Sequence, residues 1–161
     1  MAQLLKEGQV IDNSWTTVLE DAGDLPSGDI LLPLKRWLQQ DSNLSQHQGS
    51  VGVWIDGNEE IESVAEQLVS APVVAIRFHK FVDGRGFSVA RLLRERYQYQ
   101  GEIRAIGEII RDQLYLLQRC GFNAFEFGAE VNLAEASKSL ADFSDAYQVA
   151  VDQPVPLFKR R

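Results

Sequence analysis

Cysteine is almost missing: the 161-residue chain has one, Cys120. A single thiol makes no internal disulfide, and without ligands of other kinds it holds neither zinc nor an iron–sulfur cluster. Histidine is as scarce, with His47 and His79 alone. No Ser–His–Asp order, metal-ligand spacing or redox Cys pair appears. Long apolar runs are absent too. The longest, residues 71–76, is strand-sized and far short of the ~20 residues of a membrane-spanning helix. Residues 1–7 are charged too soon for a signal peptide. With no export signal and one free thiol, a cytoplasmic location without a membrane partner is expected. There is no excess of basic charge either. Lys and Arg number 16 against 23 Asp and Glu, giving net charge −7 and a pI near 4.8. That balance excludes a general nucleic-acid binder.

What is present is the mix of an ordinary globular domain, 45 % apolar and 24 % charged, long enough to bury a core. The charge is uneven: residues 1–70 carry net −9, residues 71–120 net +4 and residues 121–161 net −2. Eight of the 11 arginines fall in the middle block: Arg77, Arg85, Arg91, Arg94, Arg96, Arg104, Arg111 and Arg119. This pattern fits solvated helix faces with pairs such as Arg91–Glu95. It also fits a local basic site for an anion or an acidic partner.

The hydrophobic pattern predicts an irregular segment over residues 1–28 with one short strand near 14–19, a single α/β domain over 29–150, and a Pro-containing tail over 151–161. Ile30-Leu31-Leu32 reads as a strand, Pro33 opens a helix through Leu34, Trp37 and Leu38, and residues 41–50 form a polar loop. Strands then begin near 51, 73, 102 and 124. Between them lie helices over 59–69, from Phe87 to Tyr97 and over 109–120, with Gly121 as a C-terminal cap. Asn132 and Glu135 start a last helix carrying Leu133, Ala136, Leu140, Phe143 and Tyr147. Strand starts 22–29 residues apart suit parallel pairing through helical crossovers. The expected fold is therefore α/β: a mostly parallel sheet of about four to five strands, either open or partly barrel-like.

Ligands in such folds meet the carboxyl ends of the strands. The loop His79-Lys80-Phe81-Val82-Asp83-Gly84-Arg85-Gly86-Phe87-Ser88 is the most informative. Lys80 and Arg85 supply cations, Gly84 and Gly86 allow close backbone approach, and Ser88 with the first helical N–H groups suits an oxyanion. Arg91 and Arg94 lie further along that helix. Arg111 and Asp112 open the next one. His79 and Asp83 are the candidate acid–base groups. The loop lacks the third glycine of a dinucleotide fingerprint and the Gly-Lys-Ser/Thr of a P-loop, so no cofactor is bound by a recognisable motif. In the blander reading, Asp83 caps the helix, Arg85 is solvated, Cys120 is a packing residue, and Phe78, Phe81 and Phe87 belong to the core.

The run from Phe78 through Arg85-Gly86-Phe87-Ser88 to Arg91-Leu92-Leu93-Arg94-Glu95-Arg96-Tyr97 resembles the hallmark of the bacterial DUF934 family. The likeness continues through residues 101–107, Ile110-Arg111-Asp112-Gln113-Leu114, residues 117–122 and the tail residues Tyr147, 151–154, Leu157 and Phe158. Relatives often carry Pro at His79, Thr at Val82 and Tyr at Phe87. The resemblance implies an oxidoreductase label and genes beside the haem-containing sulfite reductase. It thus implies an accessory role in assimilatory reduction of sulfite to sulfide, with that haemoprotein or its electron donor as partner. Two other readings stand beside it: an anion-binding enzyme or binding protein with its site at the strand ends, and a structural or interaction subunit.

Overall fold

The computed structural model describes residues 2–40, 42–80, 82–141, 150–152, 154–155 and 159. Phe81, Phe143, Tyr147, Leu157 and Phe158, along with most of the expected tail, lie outside the described residues.

Eight strands form one sheet: β1 (Gln3–Lys6), β2 (Gln9–Asp12), β3 (Thr16–Thr17), β4 (Ile30–Pro33), β5 (Val51–Asp56), β6 (Val73–Phe78), β7 (Glu102–Gly107) and β8 (Ala124–Phe125). Their order across the sheet is β2-β1-β8-β7-β6-β5-β4-β3. From β3 to β8 neighbours are parallel, whereas β1 pairs antiparallel with both β8 and β2. The sheet is therefore mixed and eight-stranded, not a mostly parallel sheet of four to five. The missing strands come from residues 3–17. A tight turn with Glu7 at φ 50° and Gly8 at φ 80° matches a two-residue hairpin, and it returns β2 along β1.

The helices are α1 (Leu34–Gln39), α2 (Ser42–Ser45), α3 (Ala65–Leu68), α4 (Arg85–Glu95), α5 (Leu114–Cys120) and α6 (Leu133–Lys138). Sequence order and strand order coincide from β3 to β8, so crossovers of one hand put the helices on one face. The buried side chains of α1 and α3–α6 accordingly share one core with Ile30, Val53, Val74, Ile76 and Ile103. Several elements are shorter than the periodicity predicts. Residues 59–64 are held by turn bonds such as Val64 N–H to Ile61 O, so only the last turn of the expected 59–69 helix forms. The helix expected from 109 opens instead with a 3-10 turn at Arg111–Gln113. The loop at 41–50 contains α2. Gly121 caps α5 at φ 113°, and the Asn132 side chain accepts from Glu135 N–H at the start of α6, both as expected.

The opposite face carries the alternate residues Leu31, Trp54, Val73, Ala75 and Ile106, with Trp15 packed on them. Seven inter-strand spacings laid flat would separate β2 from β3 by ~34 Å. Three residues, 13–15, join Asp12 to Thr16, and four Cα steps reach only ~14 Å. The sheet must therefore curl into a half-barrel whose edges approach each other, with residues 13–15 strapped across the opening. Two contacts seat the strap at Asn13, and a third holds the chain just past β3. Asn13 donates to Glu126 at 3.1 Å and accepts from the Arg104 guanidinium at 3.0 Å, and the Trp54 indole N–H donates to Val18 O at 2.8 Å. Arg104, only 1 % exposed, also donates to Glu102 at 2.7 Å, and Lys6 holds the other Glu102 oxygen at 2.8 Å.

Candidate functional site

At the carboxyl ends of β5 and β6, Asp56 and Arg77 are register partners. Each points to the concave face, because side chains alternate and Trp54 and Ala75 lie there. Their guanidinium–carboxylate pair is two-pronged, Nε to Oδ1 at 2.6 Å and Nη2 to Oδ2 at 3.1 Å. Such a fork fixes a carboxylate's orientation as well as its charge. The Arg77 guanidinium lies 4.3 Å from the Trp54 ring centroid, stacked between an aromatic face and an acid. One residue past β6, His79 brings Nε2 to 2.8 Å from Asp56 Oδ1. An ionised carboxylate only accepts, so Nε2 carries the proton, and Nδ1 is left as the basic atom. His79 is about half exposed, at 52 %. Asp56 thus orients an imidazole at the rim of the half-barrel, an arrangement that can take a proton at Nδ1 or present a positive charge once protonated.

Glu59 stands beside this trio. Its backbone N–H bonds Asp56 O at 3.0 Å, yet its carboxylate Oε2 is buried with no hydrogen-bond partner. Burial raises the Glu59 carboxyl above its ordinary value. Asp56 and Glu20 raise it further, opposed by a backbone hydrogen bond at Asp56 and by the Arg77 charge. Glu59 borders two clefts. One, of about 610 Å³, runs over Trp54 between Glu20, Leu34, Lys35 and Arg36. The smaller, of about 200 Å³, lies against Gly57, Arg85 and Ser88.

The Gly-rich loop is largely occupied with itself. Asp83 accepts from Arg85 N–H at 3.2 Å and from the Arg85 side chain at 2.9 and 2.7 Å. These bonds pull the Asp83 carboxyl down to about 2. Gly84 is the residue before α4 and is open to solvent, whereas Gly86 is buried. A Cβ on Gly86 would sit 2.7 Å from the Phe78 ring, so this glycine lets α4 approach β6. Lys80 and Ser88 are exposed.

The arginines of the basic block are mostly engaged internally. Besides Arg77, Arg85 and Arg104, Arg91 pairs with Glu95 at 3.1 Å, and Arg119 with Asp152 at 2.8 Å. Arg111 bonds Ser139 at 2.8 Å. Arg94 donates to three carbonyls, of Gly121, Tyr99 and Gly101. It ties α4 to the segments before β7 and β8, and burial lowers its pKa. Asp112 is exposed in the 3-10 turn. The structure therefore brings together His79 with Asp56, and Arg85 with Asp83 and Ser88. Arg94 and Arg111 are bound into other contacts. Burial raises the Cys120 thiol, as suits a packing residue.

Residues 52–158 match the model of DUF934, described as a bacterial protein of unknown function. The chain belongs to this family. No curated protein and no solved structure matches it. The DUF934 match begins inside β5 and takes in Asp56, Glu59, Arg77 and His79. Trp15, Glu20, Lys35 and Arg36 lie upstream of it. No helix among the described residues is long and apolar enough to cross a membrane, and none of their His, Cys, Asp and Glu side chains form a group able to hold a metal ion.

Sequence reasoning reached His79 but missed its partner Asp56, along with Arg77, Trp54 and Glu59. Asp56 ends an apolar run and Arg77 sits one residue before the end of another. Two charges at equivalent places on consecutive parallel strands are the signal that could have found them.

Proposed function

We propose that this chain is an accessory protein of assimilatory sulfite reduction, acting with the haem-containing sulfite reductase, and that it handles a small polar ligand at the carboxyl-end rim of its half-barrel. The resemblance of the Phe78–Tyr97 run to its family supports the metabolic setting. One observation carries the ligand-handling role: the His79 imidazole held by the Arg77-clamped Asp56 carboxylate, with Arg77 stacked on Trp54, which lines a cleft of about 610 Å³. Parallel α/β sheets bind ligands at this end, and an oriented imidazole there has no packing task, since it is half exposed. A broad basic docking face has less support, because Arg85 and Arg91 of α4 are neutralised by Asp83 and Glu95.

Growth of a deletion strain on sulfate, sulfite or sulfide as sole sulfur source tests the reading. Growth on sulfide but not on sulfite is expected, with rescue by the wild-type gene and not by His79→Ala. Growth on sulfite would overturn the assignment to that step. Full rescue by soluble His79→Ala would remove the rim from it.

A further inference from the structure

We propose that the cleft between α1 and the end of β5 is a binding site for a small zwitterion of the α-amino-acid type. The ammonium would lie at Glu59 and Glu20, and the carboxylate at Lys35 and Arg36. This deepens the ligand-handling half of the proposed function and rests on it, but not on the place in sulfite reduction. The first support is the orphaned acceptor. Glu59 Oε2 is shut off from solvent and receives no hydrogen bond, a state that costs stability and is rare in folded proteins. Glu59 also lines the cleft, so a small turn of its side chain on binding would bring that oxygen to a ligand N–H. The second is that one cleft carries both signs of charge. Glu20 and Glu59 share its lining with Lys35 and Arg36. Two carboxylates repel a simple anion such as sulfite, and two cations repel a simple cation or a metal ion. A ligand carrying both signs meets a partner for each charge.

The third support is that the basic side is built. Arg36 is held by donating to Ala22 O at 2.7 Å and Gly23 O at 3.0 Å. This spends two of its five N–H groups and leaves the others for a carboxylate. Exposed Lys35 has no ion-pair partner among the described residues and adds a mobile second charge. Trp54 and Leu34 also line the cleft and suit an aliphatic stem. The volume, about 610 Å³, falls within the range of small-molecule clefts.

The test is titration calorimetry of the full chain at pH 7 with glycine, L-alanine, L-serine and L-methionine as probes. Acetate, ethylamine and sulfite serve as single-charge comparisons. At least one amino acid is expected to bind ten-fold or more tightly than acetate and ethylamine. Glu59→Gln and Lys35→Met, checked as folded by circular dichroism, are each expected to weaken it ten-fold or more. The proposal is overturned if no amino acid exceeds the single-charge probes, if both variants bind as the wild type does, or if sulfite alone binds in a manner indifferent to Glu59. Amino-acid binding in a protein whose deletion strain grows on sulfite would keep this site and discard the metabolic setting. Sulfide-only growth without amino-acid binding would do the reverse.

Discussion

Replacing Arg104 by methionine tests whether the strap is held by charge or merely by packing. Methionine keeps most of the aliphatic volume, so the loss is polar. The variant removes the 2.7 Å bond to Glu102 Oε1 and the 3.0 Å bond to Asn13. Glu102 keeps Lys6 on its other oxygen, but its side chain is only 7 % exposed, so water cannot replace what Arg104 supplied. Breaking one partner of a buried pair costs about 3–5 kcal/mol, and the surviving Lys6 contact argues for about 3. A chain of this size loses roughly 2–4 °C per kcal/mol, so the melting temperature should fall by about 6–12 °C. Urea unfolding followed by Trp15 and Trp54 fluorescence gives the free energy directly. The double variant Arg104→Met/Glu102→Leu removes both buried charges and lets the half-exposed Lys6 turn to solvent. It should recover about 1 kcal/mol or more relative to the sum of the single variants. A loss under about 1 kcal/mol for Arg104→Met, or strict additivity in the double variant, would refute the reasoning.

Three further outcomes follow from the same structure. Gly86→Val should displace α4 from the Phe78 ring and cost about 1–3 kcal/mol, read as a lower urea midpoint with unchanged m. Gly107→Ala should cost a similar ~1–3 kcal/mol, because the residue holds φ 88° and a Cβ would press on the Phe78 carbonyl oxygen; thermal melting checks it. Glu59→Gln should stabilise the fold at pH 7. The folded-state pKa of Glu59 lies above its unfolded value, so the folded chain binds the proton more tightly, and stability is lost as pH rises from about 4.5 through the folded value. The gain of the variant should therefore be near zero at pH 4 and grow to a plateau above the folded pKa. Screening at this partly exposed site keeps the plateau to about 0.5–1 kcal/mol, and paired melts across that range would show it.

The middle of the sheet was legible because β4 to β7 are covered on the helix side and half covered on the other. Their sequences run nearly unbroken in apolar residues, with crossovers of regular length. The N-terminal hairpin was not, since every residue of β2 is exposed and shows no alternation. The Glu7-Gly8 turn was its one signal. The Arg-rich block misleads for a related reason. Composition counts charges, but Asp56 meets Arg77 only through strand register, and Arg94 spends its donors on carbonyls up to 27 residues away. Asp83 and Arg85 are two residues apart, yet the blander alternative left Arg85 to solvent and gave Asp83 to the helix end, whereas the two pair with each other. Glu59 could not be picked out, because an orphaned oxygen is a property of the packed surroundings and not of the residue.

The edge-to-edge geometry of the sheet also sets an order in time. Among the described residues β1 is the only strand paired with β2, and its other strand partner is β8, at residues 124–125. The hairpin is made before β3 to β8 and therefore has no sheet to join until residue 125 has been synthesised. Meanwhile the strand just after it, β3, is already committed to the opposite edge through Ile30 and Leu31. The last pairing to form thus draws the two ends of a nearly finished sheet together over a separation of about 120 residues, a closure of the long-range kind that folds slowly. Any shortening of the chain before residue 125 leaves the first strands with nothing to close against.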